Sequence, residues 1–142
     1  MKKLLLRLCF VATILSSNNA ISQAPDWTPI FLQPTGNNVV NGVEGYFQRG
    51  ICGMDEVVFI KFVNTNNYAV ILHWYNAIFT QDITWVHHAD DTKTLNVPAA
   101  STLTGACGSE VILIVKLSEF ISDPAQFKRY GAIYFNVTSS TN

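Results

Sequence analysis

Val57-Val58-Phe59-Ile60-Lys61-Phe62-Val63 reads as a β-strand. All but Lys61 are β-branched or aromatic, the run is too short for a secure helix, and Gly53 and Asn64 bound it. Alternation sends Val57, Phe59 and Val63 to one side and Val58, Ile60 and Phe62 to the other. Both faces are apolar. One is expected against a core, the other under a loop, a helix or a partner. Lys61 is the one charge in the run and guards it against edge-to-edge aggregation, as Lys116 does in a later run.

Working outward, residues 68–75, 111–117 and 132–137 have the same character, and weaker strands are expected at 27–32, 39–47, 83–88 and 93–97. This spacing predicts an all-β fold, an antiparallel β-sandwich of seven to eight strands. Asn64-Thr65-Asn66-Asn67 and Ala89-Asp90-Asp91-Thr92 are turn sequences, because Asn and Asp tolerate the left-handed backbone of tight turns. Both are expected to close hairpins. The single helical signal is Asp123-Pro124-Ala125-Gln126-Phe127-Lys128, where Asp caps and Pro suits the first helical position. A short helix of about two turns near the C-terminus is expected there.

The chain of 142 residues opens on Met1-Lys2-Lys3, runs mostly apolar from Leu4 to Leu15, and turns small and polar from Ser16. This is the layout of a secretory signal peptide, read here as residues 1–22 with the cut between 20 and 24. Ala20-Ile21-Ser22 fits the small-x-small rule; Ser22-Gln23-Ala24 also fits but places Pro25 just after the cut. Cys9 lies inside the apolar stretch, after Leu8, and is not placed as a lipoprotein cysteine. The apolar stretch is too short to span a bilayer. A single domain, 23–142, is expected to remain, with no transmembrane anchor. It carries six basic and ten acidic residues, a net charge of −4. That excludes a nucleic-acid binder steered by a basic face, and 49% hydrophobic residues with 13% charged exclude a disordered chain. The expected location is the periplasm, the cell surface or outside the cell.

Cys52 and Cys107 remain, an even number in an oxidising compartment, and they are expected to form a disulfide. It would close a loop of about 56 residues, worth roughly 4 kcal/mol at most on the chain-entropy model. No C-x-x-C spacing and no neighbouring Lys, Arg or His argue for a reactive thiol. Each cysteine sits in a Gly-x-Cys-Gly frame, Gly50–Gly53 and Gly105–Gly108, followed by Glu-Val and an apolar run. A bond between them predicts that both following strands leave one rim of the sandwich and run alongside each other.

Cys52, Trp74 and Cys107 occur in Cys–Trp–Cys order, and at this level the chain resembles immunoglobulin-like or fibronectin-like sandwich domains of exported proteins, loosely over 39–137. Gly105 stands where the tyrosine corner of that pattern would have a Tyr. The resemblance implies architecture and carries over no functional residue.

His87, His88, Asp90 and Asp91 are the densest set of potential metal ligands, but adjacent strand residues point to opposite faces, so a polar loop tip is the preferred reading. Tyr75, Asn76 and Trp85 are the candidate ligand-binding residues, since exposed aromatics beside amides stack on sugar rings; Trp74, in phase with Val70 and Leu72, is expected in the core. No nucleophile elbow, metalloprotease helix or phosphate loop occurs, so no catalytic residue and no cofactor is expected. Asn136-Val137-Thr138 is a glycosylation sequon with meaning only in a eukaryotic secretory pathway. The expectation is a non-catalytic protein-interaction or structural module, its partner another envelope or extracellular protein. The alternatives are a carbohydrate-binding module taking a glycan and a small metal-binding hydrolase centred on His87 and His88.

Overall fold

The computed structural model describes residues 26–109 and 111–140. The expected signal peptide, 1–22, and its expected cleavage region lie outside these residues. Among those described there are ten strands in two sheets: β1 (Thr28–Pro29), β2 (Phe31–Leu32), β3 (Val39–Val40), β4 (Val43–Cys52), β5 (Asp55–Asn64), β6 (Val70–Thr80), β7 (Trp85–Val97), β8 (Thr102–Thr104), β9 (Ile114–Lys116) and β10 (Phe127–Ser139). One sheet runs β1-β4-β5-β8, with β3 also on β4 and β9 also on β5; the other runs β2-β10-β6-β7. The two form the expected all-β sandwich. Pairing is antiparallel throughout, except that β2 lies parallel to β10.

The 57–63 run is the middle of β5, and its Val58–Ile60–Phe62 face is the one that enters the core. Phe62 meets Trp74 of β6 edge-on at 5.1 Å and stacks on Phe135 of β10 at 5.6 Å. Phe47 of β4 reaches Phe127 and Tyr130 of β10. These aromatics from facing sheets join Ile30, Leu72, Ile78, Val115 and Leu117 in one buried cluster. On the other face of β5, Val57 is also buried, while Lys61 lies over the rings of Trp27 and Tyr46.

The N-terminal segment belongs to both sheets. Ile30 N–H donates to Gly45 O in the first, and three residues later Gln33 N–H donates to Ala132 O in the second. Ile30 is buried between them.

Five expectations are corrected. The turn at 64–67 closes no hairpin: β5 and β6 belong to different sheets, and the chain crosses between them. Asn64 directs the crossing. Its buried Nδ2 lies within 3.2 Å of the carbonyls of Tyr68, Val97 and Pro98, and its Oδ1 accepts from Asn66 N–H. Segment 89–92 is likewise no hairpin tip, because both flanks belong to β7 and follow β6 from Trp85 to Val97. Residues 88–91 bulge out opposite Asn76 alone, which lets Val86, Leu95 and Val97 all stay against the core.

Only 114–116 of the 111–117 run is a strand, flanked by 3₁₀ turns at Val111–Leu113 and Leu117–Glu119. The free edge of β5 is shared: β8 takes 61–63 and β9 takes 57–59. Where β8 ends, Gly105 passes so close to the next segment that a Cβ there would stand 2.1 Å from Leu113 O. The strands after the two cysteines are neighbours, as expected, but antiparallel, since the chain loops over before 114 pairs with Phe59. Finally, the helical signal yields one 3₁₀ turn, Pro124–Gln126, with Asp123 capping Ala125 N–H. Phe127 then turns extended and is buried against Phe47, which draws the chain into β10 instead of a second turn.

Cys52 and Cys107 are bonded, their Cα atoms 5.5 Å apart. The bond ties the end of β4 to the loop after β8 on one side of the sandwich, whereas in the immunoglobulin pattern it bridges the sheets.

Candidate functional site

The outer face of the four-stranded sheet carries the aromatic side chains. Ala77 of β6 and Gly131 of β10 are cross-strand partners with almost no side chain. Trp85, on β7, swings its indole across this trough until its far edge lies over Gly131. There it meets Phe79 at 4.9 Å on one side and Phe31 at 5.5 Å on the other. Two cations lie on the same aromatics: the Arg129 guanidinium is 4.9 Å from the Phe31 ring and 5.8 Å from Trp85, and Lys128 Nζ is 5.3 Å from Phe79. Such contacts are worth about 0.5–1 kcal/mol each at exposed positions. Among the described residues, neither cation is in an ion pair.

Beside Trp85 a groove of about 280 Å³ is lined by Phe31, Gln33, His87, Ile133 and Tyr134. Tyr134 is an exposed wall, 67% accessible, and its ring meets Tyr75 edge-on at 5.6 Å. Its backbone is left-handed, φ 50°, within a register shift between Ile133 and Asn136. A left-handed tyrosine costs roughly 1–2 kcal/mol, and bulges of this kind re-aim a side chain. The sheet holds that strain while presenting an exposed phenol.

The three candidate ligand residues divide between the faces. Tyr75 and Trp85 belong to the outer face. Asn76 points inward, where its Oδ1 accepts from Trp74 Nε1 at 2.9 Å and from Tyr130 OH at 2.6 Å. Trp74 is fully buried, as its phase predicts. Burial pushes the Tyr130 phenol far above its ordinary range, against a smaller opposing effect of the Trp74 hydrogen bond.

His87 lines the groove, while His88 points away, its Nε2 3.0 Å from Glu119 O and its ring on Phe120. Asp91 pairs with Lys93, and Asp90 is exposed. Among the described residues no three His, Cys, Asp or Glu side chains are placed to hold a metal ion. Sequence reading missed Phe31, Gln33 and Tyr134. The aromatic run around Tyr134 was visible, but its bulge was not.

No family model, curated protein or solved structure matches the chain.

Proposed function

We infer that the protein is an exported, non-catalytic interaction module, and that its contact surface is the aromatic outer face of the four-stranded sheet. The observation that carries this reading is Tyr134, an exposed ring held in a strained bulge at the wall of a groove. Tyr, Trp and Arg dominate the energetics of protein interfaces, and Tyr134, Trp85 and Arg129 stand together here. The partner is another envelope or extracellular protein that places an apolar side chain in the groove and a carboxylate near Arg129. Export is supported by the signal-peptide layout of 1–22 and by the disulfide.

A photo-crosslinking residue at 134, in cells carrying the native envelope, tests the reading. A discrete protein adduct is expected from position 134 and none from position 68, where Tyr68 is exposed away from the groove. Equal adducts from both positions, or none from 134, refute it. A second reading, glycan binding, is favoured by Gln33 and His87 beside the Trp85 ring, a pairing of polar edge and flat aromatic wall. A glycan array on which binding disappears with Tyr134→Ala would select it.

A further inference from the structure

A second concavity reaches Asn76 of β6 from the edge of the sandwich, between residues of β7 and of β9. Its volume is about 260 Å³. It is lined by Val57, Val115 and Asn76, all buried, and by half-buried Ile114 and Cys52. The rim is polar: Asp91 and Lys93 from β7, Lys116 and Glu119 from the opposite edge. Lys93 is neutralised by Asp91 and Lys116 by Asp55.

Asn76 gives this space a chemical preference. Trp74 Nε1 can only donate, so the atom it meets must be Oδ1, and that oxygen also takes the Tyr130 hydroxyl proton. The remaining group, Nδ2, has no acceptor among the described residues. No side-chain nitrogen or oxygen sealed from solvent lacks a partner in the described structure. Nδ2 is therefore the part of Asn76 left open, on a residue only 6% accessible that lines this cavity.

We propose that the cavity is a binding site for a small neutral molecule with an apolar body and one carbonyl oxygen, a ketone, amide or lactone, accepted with its body against Val57, Ile114 and Val115 and its oxygen on Asn76 Nδ2. The size suits one ring or a short branched chain, below the roughly 300–1,000 Å³ of sites for larger ligands. The rim cations are already paired, Lys93 with Asp91 and Lys116 with Asp55, and Glu119 adds a negative charge, so the site favours a neutral guest over an anion. An oxygen acceptor is demanded because leaving the amide N–H unpaired against an apolar ligand would cost it the hydrogen bonds that water supplies. This site and the outer groove lie on opposite faces of the four-stranded sheet, so each can be tested without the other.

The test uses acetophenone, with ethylbenzene as its counterpart lacking the oxygen, titrated into the mature protein by NMR. Acetophenone should give saturable shifts of the Asn76 side-chain amide and of the Val57, Ile114 and Val115 methyl groups. Ethylbenzene should bind about five- to tenfold more weakly, the value of one neutral hydrogen bond. Asn76→Asp retains an acceptor for Trp74 and Tyr130, removes the donor, and should weaken acetophenone at least tenfold. Ile114→Phe fills the space from a half-buried wall and should abolish binding, which serves should Asn76→Asp fail to fold. Equal affinity for the two probes, shifts that do not saturate, or undiminished binding to Ile114→Phe would overturn the proposal.

Discussion

The indole of Trp85 rests on the backbone of Gly131, with no room for a methyl group between them. A Cβ at 131 would stand 2.7 Å from both Cη2 and Cζ3 of the ring. Trp85 can lie flat between Phe31 and Phe79 only because position 131 has no side chain. Gly131→Ala should therefore lift the indole and cost about 1–3 kcal/mol, the usual range for overpacking. Urea unfolding reads the loss, and a red shift of native tryptophan fluorescence reports the displaced ring.

Tyr134→Gly should separate stability from binding. The substitution relieves the left-handed strain at 134, worth roughly 1–2 kcal/mol. It also removes the contact with Tyr75, worth about 0.5–1.5 kcal/mol. These terms nearly cancel, so the unfolding midpoint should move by less than about 1 kcal/mol equivalent. Capture of the partner should nevertheless fail. A large loss of stability would mean that Tyr134 serves the fold instead.

Tyr130 predicts alkaline sensitivity. Its phenol is buried beside Trp74 and Asn76, and burial raises its pKa above the ordinary value of 10.0. Below about pH 10 both folded and unfolded chains hold the proton, and the contribution is fully present. Above it, the unfolded chain releases a proton that the folded chain retains. Stability then falls by up to about 1.4 kcal/mol per pH unit from this group. Tyr130→Phe should cost about 1 kcal/mol at pH 7 for the lost hydroxyl bond, and its stability should decline less steeply than that of the parent between pH 10 and 11. Urea titrations of both proteins across that interval decide it.

Replacing both Cys52 and Cys107 by Ser should lower stability by about 2–4 kcal/mol, through the larger conformational freedom of the unfolded chain. The bond joins the end of β4 to a loop, so the tryptophan bands of the native near-ultraviolet circular dichroism should be unchanged, the disulfide's own broad contribution aside. Tryptophan bands that changed would show the bond to be needed for packing as well.

The long strands were legible because side-chain alternation and β-branched composition are local properties. The same locality explains what was missed. Asn64-Thr65-Asn66-Asn67 announces a change of direction, but whether the chain re-enters the same sheet depends on acceptors at Val97 and Pro98, far along the sequence. The 111–117 run alternates correctly, with Leu113, Val115 and Leu117 buried, yet becomes a strand only where β5 offers a free edge. For the candidate sites, alternation placed His87 and His88 on opposite sides. It could not bring Phe31 beside Trp85, because that contact passes through a two-residue strand paired to β10.

Strand β10 sits between β2 and β6, so a segment from near the end of the chain supplies the middle of the second sheet. A polypeptide emerging N-terminus first must therefore wait, with Trp74 and its neighbours uncovered, until residues 127–139 arrive. Cleavage before Phe127 would leave two halves of a sheet with nothing to join them, each with a bare edge open to proteases and to self-association. A product cut short before Phe127 would lack the strand that closes the second sheet.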